Sequence, residues 1–303
     1  MKKTEQPATT SHDNAKNDAE LLDEASVAAC DLAVAEPYNS DNPDGVPGVA
    51  WFDIDRQDAI DKCRIAARKN PNNLRVRFQL ARAYDAAGNE SGALELVKSA
   101  AIAGYAIAQA KYGYRFENGF GVDEDTEQAV SWYQKSADQG DLYGQFYLGQ
   151  MYEYGTGVGY DPALAIFWIG KAAQSGLPAA QYQLGNMYTR GDEFTPPNQA
   201  LGIHWYRKAA EQEKAHAGYQ LNLAKVLVQG SGAHVDYDEA AKWYLSCLEN
   251  GHSKSTDLAD LHISTISAMQ LMMKSDGHYS GKIDGVAGTR TCAAMDALGP
   301  TGN

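Results

Sequence analysis

Apolar and polar positions recur with a helical period along most of this chain. Between residues 144 and 158, Leu148 and Tyr152 stand four apart on one predicted helix face, with Gly149 beside them. Upstream, Leu80 and Tyr84 repeat that pairing inside a helix predicted over Leu74 to Ala87. A helix over Ile54 to Lys69 precedes it, with Ile60, Cys63, Ile65 and Ala66 among its apolar positions, and one over Ala93 to Ala103 follows. Asn70-Pro71-Asn72-Asn73 and Gly88-Asn89-Glu90-Ser91-Gly92 break the runs between them.

The pattern then becomes a repeat. Trp132-Tyr133, Phe167-Trp168, Trp205-Tyr206 and Trp243-Tyr244 mark equivalent places, with the tryptophans 36, 37 and 38 residues apart. Gly113, Gly149 and Gly185 are 36 apart. Four units follow, at 105–140, 141–176, 177–213 and 214–251. Gly149 lets a neighbouring helix come close, at about 1 kcal/mol of helix propensity. Gly155 and Gly157 permit positive φ where the first helix ends. Asp161-Pro162 is an N-cap and first position for the second helix, and Trp168 is expected to fill the space between hairpins. A phosphate-binding glycine loop does not fit Gly155-x-Gly157-x-Gly159, which follows a helix and precedes no Gly-Lys-Ser/Thr.

The clearest unit runs Gly144-Gln145-Phe146-Tyr147-Leu148-Gly149-Gln150-Met151-Tyr152-Glu153-Tyr154-Gly155-Thr156-Gly157-Val158, then Ala165 through Trp168 and Lys171-Ala172-Ala173 to Gly176. This resembles the Sel-one-like repeat, a relative of the tetratricopeptide repeat, with its A-x-x-x-L-G-x-M-Y-x-x-G-x-G-V and A-x-x-W-Y-x-K-A-A-x-x-G halves. The third unit replaces the G-x-G-V loop with Asp192 to Pro197, and the fourth has Asn222 where the helix glycine belongs. The resemblance implies an all-α, right-handed α-solenoid of helical hairpins. Residues 49–104 would be a tetratricopeptide-like module at its start.

It further implies a non-catalytic scaffold whose concave groove, lined by the first helix of each unit, holds a protein or peptide partner. By register the groove positions are Gln109, Lys111, Tyr114 and Asn118; Gln145, Tyr147, Gln150 and Tyr154; and Gln181, Gln183, Asn186 and Arg190. Such Tyr, Gln and Asn side chains combine adaptable hydrogen bonding with amphipathic contact. For any one of them, a plain solvated surface position is the alternative.

After Gly251 the pattern stops. Residues 266–295 resemble part of the small helical peptidoglycan-binding domain of bacterial cell-wall proteins. Its G-x-Y-x-G-x-I-D-G-x-x-G-x-x-T core is matched from Gly277 to Thr291 by Gly277, Tyr279, Gly281, Asp284, Gly285, Gly288 and Thr291. Asp284 is expected to accept backbone N–H bonds in the loop, with Tyr279 and Ile283 in the core. The aromatic-Gln pair usual further on is replaced by Asp296-Ala297-Leu298. A module at 252–303 therefore either contacts peptidoglycan or only caps the solenoid.

Charge sharpens the picture at the amino terminus. The chain carries 39 acidic and 26 basic side chains. Residues 1–48 account for 10 of the acids and 3 of the bases, an acidic, largely disordered lead with a short helix from about Ala19 to Ala35 and a loop from Asn39 to Gly48. This balance excludes a general nucleic-acid or anionic-membrane binder. No apolar run approaches the ~20 residues of a membrane span. Met1-Lys2-Lys3 is followed by no apolar stretch, so a signal peptide is not expected within this sequence.

Four cysteines complete the inventory. Cys30 with Cys63, and Cys247 with Cys292, are the disulfide candidates if the compartment is oxidising. Otherwise all four are small buried hydrophobes. No histidine pair has i, i+4 spacing and no nucleophile-elbow, zincin or Walker motif occurs, so no catalytic residue, metal or cofactor is expected. The expected function is a bacterial interaction scaffold of the periplasm or cell envelope. The alternative is a cytosolic or secreted adaptor.

Overall fold

Short polar side chains start most helices of the computed structural model. It describes residues 24–35, 37–39, 42, 48–50, 53–191, 196–212, 217–229, 236–249, 263–283 and 291. Asp55, Asn73, Asn89, Asp125, Asp141 and Asn198 each accept an N–H three residues on, satisfying a donor that the helix itself leaves bare. At the other end Gly155 takes φ +66°, a left-handed conformation that costs an L side chain about 1–2 kcal/mol. No strand occurs among the described residues.

The chain divides into two units, residues 1–161 and 162–303. In the first, α1 (24–34), α2 (Arg56–Lys69), α3 (Leu74–Ala86), α4 (Glu90–Ile102), α5 (Ala106–Asn118), α6 (Thr126–Asp138) and α7 (Leu142–Tyr154) follow one another. From α2 onward each packs on the next, and α5 also touches α7. The second has α8 (Pro162–Gln174), α9 (Pro178–Arg190), α10 (Gln199–Ala210), α11 (Ala217–Gln229), α12 (Tyr237–Glu249) and α13 (Ile263–Ser275), again packed in succession. Within each unit this is the nearest-neighbour stacking of an α-solenoid. The lead before residue 24 and the segment 252–262 lie outside the described residues.

Packing corrects one detail of the repeat. The tryptophans Trp132, Trp168, Trp205 and Trp243 are only half-buried. The residue after three of them fills the core instead: Tyr133, Tyr206 and Tyr244 are at most 4% exposed. The reason is the helix glycine. A Cβ added to Gly113 would stand 2.8 Å from the Tyr133 ring, and one on Gly185 would stand 2.8 Å from the Tyr206 ring. Each buried phenol needs an acceptor. Tyr133 donates to Glu117 at 2.5 Å and Tyr206 to Asn186 at 2.6 Å. Burial, and then Glu117, push the Tyr133 hydroxyl well above the usual phenol range.

The first described helix, α1, packs into the first unit beside α2. Cys30 and Val34 join Ile54, Ala59, Cys63, Val76 and Leu80 in one apolar cluster, and a Cys30–Cys63 disulfide closes it. Asp31, 1% exposed, receives the Gln79 amide at 2.5 Å and an ion pair from Arg75 at 3.2 Å. Arg82 donates to the carbonyls of Val34 and Val49. Arg75, Gln79 and Arg82 form one stripe of α3, three and four residues apart.

In the second unit Met269, Met273 and Tyr279 pack α13 and the turn after it against Leu221, Ala224, Ala241 and Tyr244. Arg207 of α10 grips Glu239 of α12 with two bonds of 2.8 Å. That hydrogen-bonded pairing lowers the Glu239 carboxyl and raises the Arg207 guanidinium.

Candidate functional site

The face made by α3, α5 and α7 is where side chains and open space coincide. A cavity of about 220 Å³ is lined by Phe78 of α3, by Ile107, Ala110, Lys111 and Tyr114 of α5, and by Tyr143 and Tyr147 of α7. Tyr147 is the hub. Its ring lies 5.7 Å from Tyr114, 5.2 Å from Tyr133, 6.4 Å from Tyr143 and 5.5 Å from Phe146. Lys111 stands 5.3 Å over the Tyr114 ring, bringing positive charge to an aromatic wall.

Two more cavities adjoin this one along α5. One of about 240 Å³ shares Lys111 and Tyr114 and adds Asp85, Glu90, Arg115 and Phe120. There Arg115 pairs with Asp85 at 2.5 Å, tying α5 to α3. The other, also about 240 Å³, shares Ile107 and adds Asn39, Leu74, Tyr105 and Asp141. The turn after α1 reaches this end: Tyr143 donates its hydroxyl to the Pro37 carbonyl at 3.0 Å, and the Asn39 amide donates to the Tyr105 oxygen at 3.1 Å.

The register-based groove positions divide into those that meet here and those that do not. Lys111, Tyr114 and Tyr147 converge on the central cavity. Asn118 is exposed at the end of α5, its amide bonded to the Tyr114 carbonyl at 2.9 Å. On α7, Gln150 is half-buried and Tyr154 exposed. In the second unit Gln183 is half-buried, Arg190 exposed, and Asn186 accepts the Tyr206 hydroxyl.

Gln109, Gln145 and Gln181 are corrected outright: they are 6%, 7% and 4% exposed and present no groove surface. Gln109 donates to the Ala101 carbonyl at the end of α4, and Gln181 to the Ala173 carbonyl at the end of α8, each at 3.1 Å. Each of these carbonyls also accepts a turn N–H, Gly104 on Ala101 and Gly176 on Ala173, and the buried amide from the next helix adds a second donor while satisfying itself. Phe78, Ile107 and Tyr143 were not among the register positions. Tyr143 and Tyr147, four apart on one helix face, were the available signal.

The motif near the carboxy terminus folds inward where it is described. Gly277 takes φ +81° and is exposed. Tyr279 is buried and donates to the Lys282 carbonyl at 2.9 Å. Gly281 is buried with that phenol against it, where a Cβ would come to 2.3 Å of the oxygen. Thr291, 1% exposed, accepts the amide of buried Gln270 at 2.9 Å. Asp284, Gly285 and Gly288 lie outside the described residues, as does Cys292; Cys247 is buried. Among the described residues no group of three His, Cys, Asp or Glu converges as a metal site, and no helix is long and apolar enough to cross a membrane.

Hairpins packed in succession, with a second-helix tyrosine seated on a first-helix glycine, define the class as an α-solenoid repeat protein. A family model agrees: residues 106–141, 142–177, 178–214 and 217–252 each match the Sel1 repeat. It is similar to chitin synthase regulatory factor 3 of Schizosaccharomyces pombe, 31% identical over 215 residues, which are 69% of this chain and 18% of that protein. A solved Sel1 repeat protein from Oxalobacter formigenes is 26% identical with a TM-score of 0.55, over 75% of this chain and 61% of that one. A protective antigen of uropathogenic Escherichia coli strains, displaying an SLR fold, is 25% identical with a TM-score of 0.56, over 95% of this chain and 64% of its own. The chain thus spans less than two thirds of the length of each of these three.

Proposed function

We propose that this chain is a non-catalytic protein-interaction scaffold whose α3–α5–α7 face receives a peptide or protein partner. The observation that carries the reading is the row of three adjoining cavities along α5, walled by Phe78, Tyr114, Tyr143 and Tyr147. Rigid aromatic side chains with polar tips supply large contact area at small entropic cost, as at other protein interfaces. Photo-crosslinking in the native host tests it. A benzophenone amino acid at Lys111 should trap a partner, and the adduct should fade when Tyr147→Ala is added. Equal adducts from position 111 and from exposed Lys135 on α6 would sink the groove reading.

The setting is an oxidising one, the periplasm or envelope, and the Cys30–Cys63 disulfide supports it. Thiol counting on protein from the native host should find Cys30 and Cys63 unreactive; two reactive thiols at those positions would move the protein to the cytosol. The carboxy-terminal segment serves as the cap of its solenoid rather than as a glycan site, a reading supported by the inward Tyr279, Gly281 and Thr291. Enrichment on purified murein sacculi, lost on truncation after residue 251, would restore the peptidoglycan contact.

A further inference from the structure

We infer that α1 and the turn after it form a latch over one end of the α3–α5–α7 face, with the Cys30–Cys63 disulfide as its lock. The inference concerns the face described above and needs no partner to be bound there. It starts from where the turn goes. Tyr143, whose ring lines the central cavity, gives its hydroxyl proton to the Pro37 carbonyl at 3.0 Å. The Asn39 amide donates to the Tyr105 oxygen at 3.1 Å, and both residues line the cavity at the start of α5. These two bonds join residues 106 and 66 apart in sequence. One end of the cavity row is thus walled in part by the chain's own amino-terminal segment, and release of Asn39 removes that wall.

The turn is held from outside. Tyr38, between Pro37 and Asn39, takes φ +61°, a conformation that a bulky L residue keeps only where its surroundings impose it. Several contacts impose it. Val49 donates its N–H to the Ala35 carbonyl at 2.8 Å, and Arg82 of α3 donates to the carbonyls of Val34 and Val49. Gly48 lies so close to Pro37 that an added Cβ would stand 2.2 Å from the Pro37 Cα. That atom is backbone and cannot turn aside, so glycine keeps Pro37 within reach of Tyr143. Behind these contacts stands the disulfide, which joins α1 to α2 through two fully buried cysteines. A tether raises the effective concentration of what it carries, here the turn at Tyr143 and Tyr105. The lock closes when the two thiols pass two electrons and two protons to a disulfide oxidant, which leaves as its dithiol. The oxidised chain is latched, and a chain kept reduced presents the same face with its end open.

Hydrogen–deuterium exchange on the full chain, read by mass spectrometry, tests the latch, because amide exchange reports local opening. In the Cys30→Ser/Cys63→Ser double variant, peptides covering 105–112 and 142–150 should exchange about two- to tenfold faster than in the parent, the worth of one neutral hydrogen bond. Gly48→Ala leaves both cysteines in place and should give the same rise at both stretches. Tyr143→Phe should give it at 142–150, and adding the two cysteine changes to it should then add nothing there. Exchange that rises only in α1 and α2 when the disulfide is lost overturns the latch. So does a Gly48→Ala protein that exchanges like the parent at both stretches. If the double cysteine variant does not fold, Gly48→Ala and Tyr143→Phe decide alone. Crosslinks from position 111 report separately on the scaffold reading. Trapping that depends on Tyr147, with exchange unchanged in every variant, keeps the scaffold and removes the latch; faster exchange without specific trapping does the reverse.

Discussion

At the amino-terminal end of its unit, α1 is fastened by a disulfide and by a buried carboxylate facing Arg75 and Gln79. At the carboxy-terminal end of the other unit, α13 is fastened by Met269, Met273 and Tyr279, packed on Leu221, Ala224 and Tyr244. The contrast follows from what each helix has to bury. In α1 only Cys30, Asp31 and Val34 are fully buried, whereas α13 buries Ile266, Ala268, Met269 and Met273 along with Thr265 and Gln270. A helix with so little apolar surface gains little from burial, and α1 makes up the difference with a covalent bond and directional polar contacts. A helix at the edge of the described stack can therefore be held by chemistry or by bulk.

The sharpest way to break the comparison is at the disulfide. Cys30→Ser should lower stability by about 3–4 kcal/mol, the loop-closure value for two cysteines 33 apart in sequence. In chemical denaturation the double variant with Cys63→Ser should be no less stable than either single one. An additive double loss would mean that the two sulfurs act separately.

Next comes Met269→Ala, which empties a fully buried site and should cost about 2–4 kcal/mol. A loss below about 1 kcal/mol would show that α13 is not held by its methionines. Asp31→Asn should cost about 1–3 kcal/mol by leaving Arg75 without its charge partner. It should cost less in the Cys30→Ser background, where α1 has already lost its main fastener. An unchanged effect there would show that the disulfide and the carboxylate hold different things.

The smallest effect lies inside the second unit. Hydrogen bonds from Arg207 hold the Glu239 carboxyl below its ordinary 4.5. A depressed carboxylate adds stability that is fully present above that value and is lost as pH falls through the lowered one. Both partners are part-exposed, so the contribution stays below about 1 kcal/mol. Thermal melts between about pH 3 and 6 should therefore show slightly less acid sensitivity in Glu239→Gln than in the parent. Identical slopes would show that the fork contributes nothing measurable.

The repeat was legible because glycine and aromatic positions recur at nearly constant spacing, and spacing is what stacked hairpins impose. Register alone separates Gln109 from Lys111: two residues apart, they point about 200° away from each other round the helix, so one is clamped against a carbonyl while the other lines a cavity, and one groove could not hold both. Register could not find Phe78, which lies in α3, outside the four matched repeats. The Trp–Tyr pairs misled in the same manner. Tryptophan is the larger ring, but the glycine opposite is shaped for the tyrosine after it.

The buried glutamines carry a consequence for how such a chain grows. A copied segment begins with a first helix and ends with a second, so that is the unit of inheritance. The amide of Gln109, however, bonds back to the helix before its own segment, on the carbonyl of Ala101. Donor and acceptor ride at opposite ends of the copied stretch, half a period out of phase with the duplication. When a whole segment is gained or lost, the new junction brings the same donor to the same acceptor. Lengthening then carries along, with Gln109 and Gln181, a side-chain bond that doubles the turn N–H of Gly104 on Ala101 and of Gly176 on Ala173.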